Sequence, residues 1–268
     1  MRSTTRTLPA ASALDSARTA EESFRVQLST LYALSQQSDH LFASPLGPVF
    51  QLFRHAYVPR FVFFGPHASE DSWRLAFLAG FDYRDLRASR AVTGLTRHLA
   101  ENAEEGHGLD LSFFPLVDAG GLFLGTGPRA LAAEPWGRST EPEIDLLAKD
   151  AQLRGYHGFV RIETAAPGED SIVVTVRHPE SPLSTPDLEL ISTVETEPFS
   201  VRFECAPQSA LVRLGPLALA DDLPVQPFEL ALRIPTAWSD DAWQEAVTRI
   251  LTRFIRRYRA FQAFGQHL

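Results

Sequence analysis

The stretch RFVFFGPHASE, residues 60–70, is the one on which the reading of this chain turns. Residues 60–64 are mostly aromatic or β-branched, with Pro59 before them and Gly65 and Pro66 after them. That pattern predicts a short strand buried at the centre of a sheet and ending abruptly. His67 then falls in the loop leaving its C-terminal end, and in an open α/β sheet ligands bind beyond such ends. Glu70 follows three residues later, at the opening of an expected helix, where an imidazole and a carboxylate can converge on one cation. Spacing alone does not separate a metal pair from a coincidence of composition.

Working outward, Asp71 and Ser72 offer an N-cap for a helix over 71–79, and a second helix is expected over 89–103, before Gly106 and Gly108. Residues 109–117 read as the next strand. Upstream, Phe24, Leu28, Leu31, Tyr32 and Leu34 recur three and four apart, predicting a helix over 21–37. Residues 1–17 lack apolar periodicity and suit a disordered lead. A strand over 49–53 follows Pro45 and Gly47. Further on, a helix is expected over 141–152 and strands over 158–163 and 171–176. An amphipathic helix over 239–264 places Trp243, Val247, Ile250, Phe254 and Tyr258 on one face. Residues 179–227 are β-rich without a pattern that orders their elements. Strands separated by helices predict an α/β fold, a mixed and largely parallel twisted sheet flanked by helices on both faces, forming one domain over 18–268.

Composition narrows the function classes. The formal net charge is −8 and the pI about 5.5, which opposes nucleic acid or an anionic membrane as partner. Cys205 is the only cysteine, so a disulfide framework or thiolate cluster within the chain is excluded, and any metal must use His and carboxylate ligands. The first 23 residues contain no continuous apolar run of the signal-peptide kind, and a cytoplasmic protein is expected.

With its neighbours included, the 60–70 stretch resembles the zinc carboxypeptidase superfamily, especially the branch of succinylglutamate desuccinylase and aspartoacylase. In that family a strand runs into a loop reading roughly H-G-D-E, whose His and Glu are zinc ligands. His67 and Glu70 keep both ligand types, with Ala68 where glycine is usual. Residues 44–49 resemble the segment leading into that strand, and Phe114-Pro-Leu-Val-Asp-Ala-Gly-Gly121 resembles the family's P-L-V-N-P-D-G strand end.

The resemblance implies roles for further residues. Arg129 would polarise the scissile carbonyl, and Arg138 would grip a substrate carboxylate, with Gly137 standing where the family has Asn. Glu163 falls where the third zinc ligand, a His, should be, and Arg161 replaces an Asp on the same strand face. If Glu163 pairs with Arg161, the third ligand is lost. Glu229 would be the general base. The implied cofactor is zinc or another divalent metal, and the implied substrate a small molecule or peptide carrying a carboxylate, cleaved at an amide bond. The rival expectation is a non-catalytic relative that keeps fold and pocket but has lost the zinc site.

Three other signals have plainer readings. His178 is a conceivable substitute ligand, whereas His157, at the start of its strand, reads as an ordinary surface residue. Gly125-Thr-Gly-Pro-Arg-Ala130 fits a dinucleotide loop, but Pro135 would end the following helix too early. The arginines at 249, 253, 256, 257 and 259 read as a solvated helix face, or as a docking surface for an acidic partner.

Overall fold

The computed structural model describes residues 11–129, 131–133, 139–177, 198–206 and 228–265. In chain order its elements begin with α1 (Ala11–Ser35), the short strand β1 (Leu41–Ala43) and a hairpin of β2 (Leu46–Gln51) and β3 (Arg54–Val58). Strands β4 (Phe61–Phe64) and β5 (Trp73–Leu78), helix α2 (Leu86–Glu101) and strand β6 (Leu109–Phe114) follow. Beyond them lie α3 (Pro142–Arg154), β7 (Gly158–Thr164), β8 (Ile172–Arg177), β9 (Val201–Ala206), β10 (Phe228–Ile234) and α4 (Asp240–Gly265). Among the described residues no helix is long and apolar enough to cross a membrane.

Eight strands form one mixed sheet in the order β1-β4-β6-β5-β7-β10-β8-β9. Its centre, β6-β5-β7-β10, is parallel throughout, while β4 runs antiparallel to β6 and β8 antiparallel to β10. One face carries α1, α2 and α4: Leu75, Phe77, Leu111, Val160 and Leu230 pack there with Leu28, Leu95 and Val247. The other face carries α3 and the β2–β3 hairpin, packed through Ile144, Leu147, Val49 and Val58 onto Ala76, Leu78 and Phe159. Alternate residues of each central strand thus reach opposite layers, and burying each large side chain contributes about 1.5–3 kcal/mol. This is the α/β architecture expected, with helices on both faces.

Three elements differ from expectation. The first is β5, expected as a helix over 71–79. Trp-Arg-Leu-Ala-Phe-Leu has no period-two alternation because the strand is buried on both faces, and such a run cannot be told from a buried helix by pattern. The second is β4, which is the second strand from the edge rather than a central one, and runs against its parallel neighbours. The third is α1, which begins at Ala11, inside the segment expected to be a disordered lead.

The turn after β4 is held by glycines. A Cβ on Gly65 would lie 1.7 Å from the carbonyl oxygen of Gly106, and one on Gly106 would lie 2.4 Å from the Phe63 ring. The two loops are also joined by Gly65 N to Leu109 O (2.9 Å) and Gly108 N to Pro66 O (2.8 Å). Gly65→Ala is therefore expected to destabilise the protein by about 3 kcal/mol, at the upper end of overpacking costs, because the obstacle is main chain. Thermal unfolding measures it; an unchanged midpoint would show that the loops separate freely.

Candidate functional site

The C-terminal ends of the four parallel strands meet at one edge of the sheet, the place where α/β folds bind ligands. The loop after β5 runs through residues 79–85 into α2, and it is bound to the loop after β6. Ala79 N donates to Phe114 O (3.0 Å), Val117 N to Ala79 O (3.0 Å) and Asp118 N to Gly80 O (2.8 Å). Gly80 has φ +67°, and a Cβ there would lie 2.5 Å from Ser89 Oγ and 2.9 Å from Leu116 Cα. Only glycine suits that crossing. Over these loops lies a cleft of about 550 Å³, lined among others by Phe81, Asp82, Asp85, Arg129, Arg161 and Glu163.

Arg129 stands at one wall, its side chain 14% exposed, inside a ring of carboxylates. Nη1 donates to Glu141 Oε2 (2.8 Å) and Glu143 Oε2 (2.9 Å); Nη2 donates to Glu143 Oε1 (2.6 Å) and to Asp118 Oδ1. Asp118 and Glu143 are fully buried. Their remaining capacity is met by main chain: Gly121 N and Tyr83 N donate to Asp118, and Gly120 N donates to Glu143. Burial opposes the charge on Arg129, yet hydrogen bonds to Glu143 and Asp118 outweigh it and raise its pKa above that of a free arginine.

Arg161 projects from the C-terminal half of β7, on the face away from α1, α2 and α4. Its Nη2 donates to Glu163 and its Nη1 to Glu229 Oε1 (3.3 Å), and its guanidinium lies 4.9 Å from the centre of the Phe81 ring. The contact with Glu229 crosses from β7 to β10, where Arg161 is level with Ala231 and Glu229 with Phe159. On the rim, Arg84 Nε donates to Asp82 Oδ1 (2.9 Å), and this bond holds the Asp82 carboxyl below its usual pKa. Asp85 caps α2, accepting from Arg87 N (3.3 Å).

The expected site residues are not gathered at one place. Because β4 runs antiparallel to β6, its C-terminal end lies at the opposite edge of the sheet. Phe64 is level with Asp110 and Arg74, one residue short of the level of Gly158, while Glu163 stands six residues further along, about 20 Å away. His67 and Glu70 therefore cannot share a cation with Glu163. His67 instead faces His107, ring centres 4.9 Å apart, and Glu70 borders a second cavity with Arg74, Asp110 and Arg154. Arg129, Glu163 and Glu229 do lie at the cleft or against it, but each is engaged by oppositely charged protein groups. Arg138 and His178 lie outside the described residues.

His157, expected on the surface, is buried: it stacks on Trp73 (ring centres 5.3 Å apart, 14° between planes), and its Nδ1 accepts from Arg74 N (3.0 Å). Reading the sequence overlooked Asp82 and Asp85. They repeat the three-residue spacing of His67 and Glu70, in a loop that does run from a parallel strand into a helix. The spacing is visible in the sequence, but the strand before it, buried on both faces, has the pattern of a helix.

Among the described residues, the donor set at the cleft does not fit a divalent metal. Asp82, Asp85 and Glu163 border the cleft, but Arg84, the α2 N-terminus and Arg161 respectively engage them, and a guanidinium among the carboxylates would repel a second cation. Among the described residues, no group of three or more His, Cys, Asp or Glu side chains is placed to hold an ion.

No protein-family model matches the chain, and no curated protein matches it in sequence. Solved structures do resemble it. A candidate metallopeptidase from Shewanella denitrificans superposes with TM-score 0.61 at 18% identity, over 88% of this chain and 90% of that one. A metallo-carboxypeptidase from Burkholderia cenocepacia gives 0.60 at 13% identity, over 87% of this chain and 68% of that one. A metallo-carboxypeptidase from Pseudomonas aeruginosa, in complex with (2-guanidinoethylmercapto)succinic acid, gives 0.61 at 15% identity, over 85% and 67%. At these identities the likeness is one of fold, and the fold of this chain is that of the metallo-carboxypeptidases.

Proposed function

We propose that this protein uses the carboxypeptidase fold as a binding module for a small molecule or a peptide end, without metal-centred hydrolysis. The observation that carries this reading is the position of Arg161, whose guanidinium engages Glu163 and Glu229, the residues expected as metal ligand and general base. A general base must be free to take a proton, and a fully buried carboxylate held by arginine is poorly suited to that task. Arg129, expected to stabilise an oxyanion, already serves three carboxylates. The cleft volume suits a small ligand. A ligand carboxylate would be received on the rim by Arg84, whose side chain is 58% exposed, rather than by Arg129 and Arg161, whose terminal nitrogens already face protein carboxylates. The loop that suggested the desuccinylase branch lies at the other edge of the sheet, so the proposal does not rest on that branch.

The test uses N-acetyl amino acids and dipeptides as probes, with turnover and saturable binding measured on the same protein. The expected result is no turnover with or without added zinc, and binding that Arg84→Met weakens by about tenfold, the loss of one charge-assisted hydrogen bond. Turnover that disappears in Glu163→Gln, together with metal content that falls in that variant, would restore the hydrolase reading.

A further inference from the structure

The histidine in the loop leaving β4 has a partner of its own. His67 has φ +60°, a left-handed backbone that is uncommon outside glycine. The turn accounts for it: Gly65, Pro66, His67 and Ala68 form a β-turn closed by Ala68 N to Gly65 O (3.0 Å), a geometry with Pro second and a positive φ third. The turn presents His67 to His107, whose ring centre lies 4.9 Å away, with 38° between the planes. A divalent ion held about 2 Å from one nitrogen of each imidazole places the ring centres roughly 5–6 Å apart, so the pair stands near the separation that a shared ion requires.

Two further observations belong to the same place. Nδ1 of His107 lies 3.2 Å from Glu104 Oε2. A carboxylate on that nitrogen favours the tautomer that leaves Nε2 unprotonated, and it fixes the ring, as carboxylates do behind metal-bound histidines. The loops carrying the two rings are also locked to each other by the Gly65–Gly106 approach and the two main-chain hydrogen bonds beside it. The rings do not depend on an ion to bring them together.

We infer that His67 and His107 form a two-histidine site for a divalent transition ion of the zinc or copper kind, open to water or to a further ligand on its outer side. Imidazole nitrogens favour those ions over magnesium or calcium. The site lies at the edge of the sheet opposite the cleft, and it stands whether or not the cleft binds metal.

The experiment is a calorimetric titration of the metal-free full chain with zinc, repeated on four variants. Wild type is expected to bind one equivalent. His67→Asn, which tolerates the left-handed backbone, and His107→Gln should each abolish that binding while unfolding at a similar temperature. Glu104→Gln should weaken binding by about twofold to tenfold, less than a buried carboxylate would, because the Glu104 side chain is 82% exposed. Lys149→Ala, at an exposed position of α3 outside both the cleft and the histidine pair, should leave the His67–His107 equivalent unchanged. In nuclear magnetic resonance spectra zinc should shift the ring signals of both histidines together. Zinc binding equal in wild type and both histidine variants would overturn the inference, and so would its absence in all three.

Discussion

Replacing Arg129 by methionine is expected to destabilise the protein by about 3–5 kcal/mol, the range for removing one partner of a buried ion pair. The effect does not come from the lost guanidinium contacts alone. Asp118 and Glu143 are fully buried, and Arg129 is the side-chain cation bonded to both. Without it two carboxylates remain in a medium that solvates them poorly, with main-chain N–H groups their remaining donors. Denaturant unfolding measures the loss; a value below about 1 kcal/mol, typical of surface pairs, would mean that Arg129 is not the counter-ion of this cluster. Arg129→Lys should restore only part of the stability, since an ammonium cannot reproduce the fork that spans three carboxylates.

The second large effect concerns acid. Burial, and next the neighbouring Arg74 guanidinium, lower the pKa of His157 from 6.5 to about 4. The folded protein therefore holds this imidazole neutral, while the unfolded chain takes up a proton below about pH 6.5. Since the unfolded state binds more protons, stability must fall as the pH falls. The contribution is complete above pH 6.5 and is lost between 6.5 and 4. The difference between 6.5 and about 4 corresponds to about 3 kcal/mol over that interval. His157→Asn keeps an acceptor for Arg74 N and removes the titration, so its stability should vary less with pH in that window, from a lower starting point because the Trp73 stack is lost. Parallel profiles for the two proteins would assign the acid sensitivity elsewhere.

How much of this could be read from the sequence depended on the range of the interaction. Helices α2, α3 and α4 and strands β6, β7 and β8 were expected within a few residues of where they lie, since their signals are local: caps, glycines and one-sided apolar faces. Strand β6 ends at Phe114, three residues before the end expected for it. Trp73–Leu78 reads as a helix because a strand packed on both sides loses its alternation, and this hid the loop that leads from β5 into α2. The direction of β4 was not legible either, because it is set by pairing with β6, more than forty residues away. Arg161 and Glu163, two apart on one strand, could be foreseen as partners, whereas the contact from Arg161 to Glu229 spans 68 residues and needed the ladder between β7 and β10. His157 shows the same limit in reverse: nothing near it in sequence says that Trp73 covers it.

Arg161 also has a consequence for the conditions under which the protein can work. A metal ion reaches its ligands through an equilibrium, so a metalloprotein's charge depends on ion supply, on chelators and on competing sites. A guanidinium is covalently tethered and keeps its proton at any physiological pH. With Arg161 as its central cation, the cleft should keep the same electrostatic character in a starved cell as in a replete one.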